Sequence, residues 1–344
     1  RRGPTLLPRD DGRASEPGGE GHRGAAGIAK GGAGGLQGVI LAAGRGKRLR
    51  PLTLARSKAM LPIMGKPIVE RVMDVLREGG VDEFVLVVNP KDGEILDRFA
   101  GRVEFAFQEE PLGMAHALRC AAPLIAGDFL LAACDSLVSP AHVAELLRCQ
   151  SRADVSAALS LQRVARSEIG RLSAVELEGD LVTRIVEKPS PDEAPSEIAS
   201  LPLYALPPRI LDYLDRVPLS PRGEYEIQDA IQMLIEREGG VRGIFAAWRL
   251  DLTTVEDLLA INLRYLAEGR DLRRPHPSQL GAGTRIIPPV RIEEGVAIGE
   301  RCLVGPRVYM ERGSRLGSGV TLREAVVLRG AAVERGTAIG RVIY

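Results

Sequence analysis

Cysteine, histidine and aromatic residues are scarce in this chain of 344 residues. It has four cysteines and four histidines, and aromatic side chains make up 4%. The cysteines form no CxxC pair, and none stands at metal-ligand spacing from a histidine: Cys120, Cys134, Cys149 and Cys302. A zinc site and a disulfide framework are therefore disfavoured, and we expect a reducing, cytoplasmic setting.

Long apolar runs and an excess of one charge are lacking too. No run approaches the roughly 18 to 20 apolar residues of a membrane helix, so the sequence predicts no membrane partner. The formal net charge is +1, which gives no overall positive field to attract nucleic acid. Any binding of anions must therefore be local.

The start of the chain differs in composition from the rest. Residues 1–37 are rich in glycine and charge and contain few large apolar side chains, so they cannot repay the entropy lost on ordering. We predict a disordered tail there. The remaining length leaves room for two domains.

Residues 38–268 alternate short apolar runs with helical periodicity. Strands separated by helices are typical of βαβ units, so we predict an α/β domain with a Rossmann-like, mixed but mainly parallel sheet. Two alternating runs within residues 155–187 favour antiparallel pairing in that part. Ligands of such sheets bind beyond the carboxyl ends of the strands, so we expect a site in the loops after Ala43, Gln108 and Cys134.

A period of six residues appears at 283–344, after a predicted linker at 269–282. Small or β-branched residues recur at Val290, Val296, Cys302, Val308, Ser314, Val320, Val326, Ala332 and Ala338. A second apolar series begins two positions later, at Ile292. This period fits neither an α-helix nor a plain strand, but it fits a hexapeptide-repeat β-helix of about three coils. We therefore predict a C-terminal left-handed parallel β-helix.

The stretch at 39–68, VILAAGRGKRLRPLTLARSKAMLPIMGKPI, begins as a buried strand and continues with glycines and cations. Gly44 and Gly46 allow a tight turn that brings backbone N–H groups close to an anion, and Arg48 and Lys58 add positive charge. A lone GxG is weak evidence, because a plain tight turn with solvated cations has the same residues. The P-loop signature GxxxxGK[ST] is absent.

The whole string is more specific than its glycines. LAAGRGKRLRPLT followed by SKAMLPIMGKPI resembles the sugar-1-phosphate nucleotidylyltransferases, whose pattern is LAAGxGxRLxPLT…KxMLPI…KP, and the resemblance extends over about residues 38–268. It implies that the first loop cradles a nucleoside triphosphate through Leu41, Ala42, Ala43, Gly44, Gly46 and Arg48. It also implies three catalytic cations, Arg48, Lys58 and Lys188. Lys47 replaces the family's usual threonine.

The segment FQEEPLGMAHAL resembles the base-binding segment of this family. The amide of Gln108 can accept a hydrogen bond from uracil or thymine N3–H while it donates to a neighbouring carbonyl, although the same amide can pair with adenine. The resemblance implies that Gln108 binds the base and that Gly113 permits its close approach. One methyl group is too small a difference to separate dTTP from UTP. Met114 replaces a threonine of the family.

Two aspartates are expected to hold Mg²⁺. Asp135 follows the strand DFLLAAC, where a carboxylate suits Mg²⁺ bound to phosphate oxygens, although it could instead cap the helix that begins near Pro140. The resemblance implies that Asp135 and Asp251, the latter within WRLDLTTVEDLL, are the two metal ligands. Cys134 and Thr253 stand where the family has glycine.

The EKP motif at 187–189 resembles the sugar site of the family. The resemblance implies four sugar-binding residues: Gly170, Glu187, Lys188 and Tyr204. Glu187 would accept hydrogen bonds from sugar hydroxyls, and Lys188 would meet the sugar phosphate. Pro202 replaces a glycine and has no N–H to offer. Glu226 and Asp229, in EYEIQDAI, are expected to shape the sugar side or to cap a helix.

Together these features predict nucleotidyl transfer from dTTP or UTP to a sugar 1-phosphate, with glucose 1-phosphate favoured and pyrophosphate released. The sugar phosphate is ionised at pH 7, so catalysis needs positioning and charge neutralisation rather than a general base. A mannose-1-phosphate guanylyltransferase and a catalytically silent regulatory subunit of the same fold are the alternatives. A bifunctional acyltransferase is disfavoured, because residues 277–344 contain no histidine base. We expect the β-helix to serve as a regulatory or homo-oligomerisation module.

Overall fold

The computed structural model of the protein describes residues 35–190 and 192–344. The predicted disordered tail lies almost entirely outside the described residues. Its last residue, Gln37, is the first residue of a strand, and its side-chain amide bonds to Leu124 O and Ala126 N at 3.0 and 2.9 Å. The sheet therefore begins one residue before the predicted domain boundary.

Strands and helices alternate through residues 37–267. The first are β1 (Gln37–Leu41), β2 (Pro62–Ile63), β3 (Lys66–Pro67), α1 (Ile68–Glu78), β4 (Glu83–Val88), α2 (Gly93–Phe99), β5 (Glu104–Phe107), α3 (Met114–Ala121), β6 (Phe129–Ala133), β7 (Ser136–Leu137) and α4 (Pro140–Gln150). They are followed by β8 (Ala157–Arg163), α5 (Arg166–Ile169), β9 (Ser173–Glu178), β10 (Leu181–Glu187), β11 (Ile198–Leu206), α6 (Leu211–Leu214), α7 (Ile227–Glu238), β12 (Val241–Phe245), β13 (Leu250–Asp251) and α8 (Val255–Ala267).

Nine of these strands form one sheet, in the order β5-β4-β1-β6-β11-β8-β12-β10-β9. The neighbours β5–β4, β4–β1, β1–β6 and β8–β12 are parallel. The neighbours β6–β11, β11–β8, β12–β10 and β10–β9 are antiparallel. The predicted mixed α/β sheet is present, but it is parallel in only half of its neighbouring pairs, because β11 and β10 run opposite to their neighbours on both sides.

Apolar side chains cover both faces of this sheet. Ile40 belongs to a buried cluster with α1, α4 and α8, whereas its neighbour Val39 belongs to a second cluster with α3 and α7. Successive residues of a strand point to opposite faces, and a strand buried on both faces reads as a continuous apolar run. This packing holds β1 at the centre of the domain and leaves its carboxyl end free for a loop.

Residues 285–343 form short parallel strands. They are β14 (Arg285–Ile286), β15 (Val290–Ile292), β16 (Ala297–Ile298), β17 (Leu303–Val304), β18 (Val308–Met310), β19 (Arg315–Leu316), β20 (Thr321–Val327), β21 (Ala332–Val333) and β22 (Thr337–Ile343). Val290 pairs with Val308, an offset of 18 residues that equals three of the predicted six-residue units. The bridge between Leu280 and Ile298 has the same offset, so the pairing pattern extends into the predicted linker.

The six-residue register changes near Glu324, whose φ is +47°. Val308 pairs with Ala325, an offset of 17 residues, so one residue is missing from this repeat. Ala325 therefore faces the interior of the C-terminal strands, and Val326 joins the cluster that contains α8. The prediction was wrong at Val326 and at Ala332, which is exposed, because losing one residue turns the side chains that follow it to the other face. At Ala338, which is buried in the interior cluster, the prediction agrees with the structure.

The helices at 35–190 and 192–344 give no candidate for a transmembrane segment, since none combines the length and the apolar character that crossing a bilayer requires.

Candidate active site

The loop at 42–46 follows β1 at the centre of the sheet. β1 pairs with β4 on one side and β6 on the other, and Ala42 N donates to Val87 O at 2.7 Å. The chain thus adds β4 and β5 on one side of β1 before it adds β6 on the other side. Such a switch point opens a crevice at the carboxyl ends of the strands, where α/β sheets bind ligands.

Two glycines shape this loop in different ways. A Cβ added at Gly44 would meet no atom within 4 Å, so the backbone there borders open space. Gly46 has a φ of +56°, and a Cβ there would lie 3.0 Å from both Lys58 Cβ and Thr53 Cγ2. Glycine is therefore required at 46 for its left-handed conformation and for the close approach of Lys58.

Lys58 and Asp135 meet beside the loop at 42–46. Lys58 opens a 3₁₀ turn, Lys58–Met60, and its Nζ forms an ion pair with Asp135 Oδ2. Asp135 follows β6, one residue after Cys134, whose N–H donates to Leu41 O at 3.2 Å. Arg48 is exposed and forms no ion pair with a residue in the two described ranges, so its charge is available to a ligand.

Asp251 lies next to Asp135 through a short ladder. β13 pairs with β7 so that Asp251 faces Ser136, and Leu252 N donates to Asp135 O at 2.9 Å. Burial raises the pKa of Asp251; Arg249, whose Nε lies 2.8 Å from Oδ2, opposes this rise, and the negative charge of Asp135 adds to it. The structure thus joins two predicted metal ligands that are far apart in sequence.

These two carboxylates suit a cation that is also bound by substrate. Mg²⁺ is usually held by one or two carboxylates together with substrate phosphates. Among the residues that the structure describes, no group of three or more His, Cys, Asp or Glu side chains could hold a metal. Asp135 and Asp251 fit Mg²⁺ that is also bound by substrate phosphates, because a divalent cation would favour the ionised form of Asp251, which burial and the charge of Asp135 disfavour.

Three residues that depart from the family pattern have structural roles. Cys134 packs in the core, and burial raises the pKa of its thiol to about 12. Thr253 N donates to Asp257 Oδ2 at 2.9 Å, at the beginning of α8. Pro202 lies where the register of β11 is irregular, a position that tolerates the missing N–H of proline.

Gln108 and Gly113 lie beyond β5, two strands from β1. Strands in a sheet are about 4.8 Å apart, so Gln108 is about 10 Å from the loop at 42–46. Gly113 has a φ of +102°, and a Cβ there would lie 2.5 Å from Tyr225 O and 2.7 Å from Tyr225 N. The group that approaches Gly113 closely is thus the backbone of Tyr225, a contact that the sequence did not predict.

A cleft of 1220 Å³ lies between β10, α7 and the segment at 218–222. Three of the four predicted sugar-binding residues line it: Gly170, Glu187 and Lys188. Tyr204 does not, because its side chain is 1% exposed and lies in the core. Its hydroxyl bonds to Ser200 Oγ at 3.1 Å and to Gln228 Nε2 at 3.5 Å. Tyr204 therefore contacts residues that support the cleft but does not line the cleft itself.

Glu187 is the best-connected carboxylate of this cleft. Ser173 Oγ donates to one of its oxygens, and Gln228 in turn donates to Ser173 Oγ at 2.9 Å. Burial raises the pKa of Glu187, but the hydrogen bond from Ser173, the charge of Lys188 and the hydrogen bonds from Lys188 and Arg222 outweigh burial, so the pKa is lowered overall. Glu187 is therefore ionised at neutral pH and can accept hydrogen bonds.

Arg222 is a candidate functional residue that the sequence analysis missed. Its Nη2 lies 3.1 Å from Glu187 and 2.6 Å from Glu226, and the side chain lines the cleft. Near these carboxylates, burial and the charges of Glu226 and Glu187 raise the pKa of Asp229. Its position in the sequence was a usable signal, since Arg222 immediately precedes the segment GEYEIQDA, which contains Glu226 and Asp229.

Comparison with known proteins gives the family. Residues 37–268 match the family described as nucleotidyl transferase. The UTP–glucose-1-phosphate uridylyltransferase AglF of Haloferax volcanii is 34% identical over 229 residues, which cover 64% of this chain and 93% of that protein. The glucose-1-phosphate thymidylyltransferase of Streptomyces griseus is 28% identical, covering 79% of this chain and 77% of that protein.

Two further matches are a relative named for a different nucleotide and a solved structure with a similar fold. A probable mannose-1-phosphate guanylyltransferase 1 of Oryza sativa subsp. japonica is 28% identical, covering 81% of this chain and 77% of that protein. The crystal structure of a UDP-glucose pyrophosphorylase complexed with UDP-glucose superposes with a TM-score of 0.62 at 22% identity, covering 68% of this chain and 99% of that one. At this identity, the structural match supports the fold alone.

An open α/β sheet with a glycine-containing loop at its switch point is typical of nucleotide-binding enzymes. Because the family match spans 37–268, the chain belongs to the nucleotidyl transferase family, among the sugar-1-phosphate nucleotidyltransferases.

Proposed function

We propose that this enzyme transfers a nucleotidyl group from UTP or dTTP to a sugar 1-phosphate, with glucose 1-phosphate as the favoured acceptor. The observation that carries this proposal is the meeting of Lys58, Asp135 and Asp251 beside the loop at 42–46. Cations and carboxylates at a switch point suit two polyanions that must react there. The names of the uridylyl- and thymidylyltransferase relatives favour the same pair of nucleotides.

Asp135 and Asp251 would hold Mg²⁺, which would supply neutralisation of phosphate charge when bound. The loop at 42–46 would cradle the triphosphate with its backbone N–H groups. Arg48, exposed and free of an ion pair with described residues, would bind the outer phosphates. Lys58 would bind a phosphate oxygen in place of its present partner, Asp135.

The reaction is an in-line displacement at phosphorus. An oxygen of the sugar phosphate forms a bond to the α-phosphorus, and the bond from this phosphorus to the β-phosphate oxygen breaks, so pyrophosphate leaves with that electron pair. Lys188 and Arg222 would orient the sugar phosphate, and ionised Glu187 would accept from the sugar hydroxyls. No proton has to move, since the attacking oxygen is already ionised at pH 7.

Pyrophosphate release tests the proposal directly. The purified chain is assayed with Mg²⁺ against UTP, dTTP, GTP, CTP and ATP, each combined with glucose 1-phosphate, mannose 1-phosphate and other sugar 1-phosphates. We expect release with UTP or dTTP and loss of at least a hundredfold in Asp135→Asn. Release with GTP and mannose 1-phosphate alone would favour the guanylyltransferase named among the relatives. No release with any pair would favour a silent regulatory subunit.

We also infer that the C-terminal strands form a left-handed parallel β-helix through which the enzyme forms homo-oligomers. The six-residue sequence period and the 18-residue pairing offset support this interpretation. Light scattering of the purified chain measures the mass in solution, and a monomer at micromolar concentration would contradict the oligomer. A cytoplasmic location remains a prediction from the cysteine content.

A further inference from the structure

The partners of the Gln108 side chain fix the orientation of its amide. Nε2 lies 3.2 Å from Gly113 O and 2.9 Å from His116 Nδ1. A carbonyl oxygen can only accept a hydrogen bond, so the atom that faces Gly113 O must be the amide nitrogen and not the amide oxygen. The first of the two amide hydrogens is therefore used by Gly113.

The second amide hydrogen points at His116. Because the amide nitrogen is a donor, His116 Nδ1 must accept, and the neutral ring carries its proton on Nε2. Burial lowers the pKa of His116, the charge of Arg119 lowers it further, and Glu110 opposes them. The ring is therefore neutral at pH 7 and keeps its acceptor, so both amide hydrogens are engaged within the protein.

The amide oxygen of Gln108 is what remains for a ligand. No donor in the described part of the chain reaches this oxygen. Although the residue is 4% exposed, Oε1 is not among the buried polar atoms that lack a partner, so it keeps contact with solvent. The two-bond readout of the base that the sequence suggested is thus reduced to a single acceptor.

We infer that His116 is a positioning residue, which together with Gly113 O engages both amide hydrogens of Gln108, leaves only the amide oxygen to a ligand and so favours bases with an N–H at the centre of their pairing edge. Uracil and thymine present N3–H there, and guanine presents N1–H. Cytosine and adenine present a lone pair, which a fixed carbonyl oxygen repels. This inference rests on the proposed function, because it takes Gln108 to face the base.

The discriminating variant is His116→Phe, which keeps an aromatic ring but removes the acceptor. The amide of Gln108 then keeps only its bond to Gly113 O, so turning over to donate to cytosine breaks one hydrogen bond instead of two, and cytosine is rejected less strongly. We expect the ratio of kcat/KM for UTP over CTP to fall about tenfold, in line with the loss of one neutral hydrogen bond. Arg119→Lys is the matched control, since it keeps the charge that faces His116, and residue 119 is exposed on the same helix and does not contact Gln108; its ratio should equal that of the wild type.

The pH dependence of the same ratio separates this role from packing. The pKa of His116 is lowered from its ordinary value of 6.5, so the UTP over CTP ratio of the wild type should be constant from pH 8 to 6.5 and fall only at lower pH, where the protonated ring cannot accept. The groups that face the ring are Arg119, Glu110 and the ring of Tyr225. In His116→Phe the ratio should not change over this range. A parallel fall in the variant would overturn the inference.

Equilibrium binding distinguishes this inference from the proposed function. Titration calorimetry gives the affinities of UTP and CTP without turnover. Turnover with an unchanged ratio in His116→Phe overturns the role of His116 and leaves the function standing. Binding preference that depends on His116, without release of pyrophosphate, overturns the function and supports the inference. Equal binding of UTP and CTP by the wild type overturns the inference whatever the turnover.

Discussion

At the scale of single residues, Gly46 sets the distance between the loop at 42–46 and Lys58. In Gly46→Ala a methyl group would lie 3.0 Å from Lys58 Cβ and Thr53 Cγ2, in a left-handed conformation that costs about 1–2 kcal/mol for an L-residue. We expect kcat to fall about tenfold or more because Lys58 is displaced, and the free energy of unfolding to fall by about 1–2 kcal/mol. Pyrophosphate release and urea unfolding measure the two effects.

Gly127→Ala is the matched control for this experiment. A Cβ at Gly127 would meet nothing within 4 Å, and its φ is not positive. We expect neither kcat nor stability to change. A Gly46→Ala enzyme with wild-type kcat would show that Lys58 does not depend on this glycine.

At the scale of single residues, Glu187 should also make the free energy of unfolding depend on pH. Its pKa is lowered below the ordinary value of 4.5, so the stability that it contributes is present above that value and is lost as the pH falls through the folded pKa. We expect Glu187→Gln to be less stable than the wild type at pH 7, with a difference that shrinks below about pH 4. Urea unfolding across this range measures it.

The same substitution should affect sugar binding. A carboxylate accepts hydroxyl hydrogen bonds on both oxygens, whereas an amide offers one, so we expect the KM for the sugar 1-phosphate to rise about tenfold in Glu187→Gln. Glu178→Gln is the control, because Glu178 is an exposed carboxylate of the same cleft that lies away from Lys188 and Arg222.

For the unfolding experiment, a difference in stability between Glu187→Gln and the wild type that stays constant from pH 7 to below pH 4 would contradict the lowered pKa of Glu187.

At the scale of elements, the sequence is informative where the cause is local. The alternation of Val39 and Ile40 and the glycines of the loop at 42–46 are visible in a few neighbouring residues. The direction of β11 is not, because its partners β6 and β8 are distant in the chain. The lost residue before Ala325 is likewise visible only in the pairing of β18 with β20.

In the candidate site too, residues within a motif could be predicted from the sequence, whereas residues whose role depends on tertiary contacts could not. Motif resemblance predicted Asp135 and Asp251, and the β7–β13 ladder then brought them together. Arg222 was missed because its position matters only once Glu187 and Glu226 lie beside it. Tyr204 was assigned to the sugar from its place in a motif, yet burial is a property of the packed core and cannot be read from the motif.

The segment at 218–226 contacts the backbone around Gly113 and also lines the cleft beside β10. Tyr225 N donates to Leu112 O at 2.7 Å, and Ala115 N donates to Tyr225 O at 3.0 Å. In Gly113→Ala a Cβ would lie 2.5 Å from Tyr225 O, so the segment must move. We expect the KM values of both substrates to rise, whereas Glu187→Gln raises only that of the sugar 1-phosphate. Initial rates with each substrate varied in turn measure this.

A selective effect would count against this coupling. If Gly113→Ala changes the KM for the nucleotide and leaves that for the sugar 1-phosphate unchanged, the segment at 218–226 adjusts without disturbing Arg222. Gly127→Ala again serves as the control, with no change expected in either KM.

At the scale of the whole molecule, the C-terminal strands contact the catalytic domain beside Lys58. Tyr309 and Val326 pack in one apolar cluster with α8. Arg56, two residues before Lys58, bonds to both carboxylate oxygens of Glu311 at 2.7 and 2.8 Å, and the two side chains are 6% and 12% exposed. Arg329 reaches Glu94 on α2 in the same bidentate way, but in a more exposed position.

The difference in burial between these two ion pairs leads to a prediction. Removing one partner of a buried pair costs about 3–5 kcal/mol, because it leaves an uncompensated charge, whereas an exposed pair contributes at most about 1 kcal/mol. We therefore expect Glu311→Ala to lower the free energy of unfolding by about 3 kcal/mol and to lower kcat, because Arg56 lies two residues before Lys58 and its displacement would move Lys58. Glu94→Ala should change both little. Urea unfolding and initial rates measure the two.

A double variant separates stability from positioning in this interface. Replacing both Arg56 and Glu311 by methionine exchanges a buried ion pair for apolar packing, which is often neutral or stabilising. If kcat stays low in the double variant although the unfolding free energy recovers, the bidentate geometry itself holds the turn that carries Lys58. If kcat recovers together with stability, the C-terminal strands act on catalysis only by keeping the catalytic domain folded, because packing without the fixed fork of Arg56 then suffices.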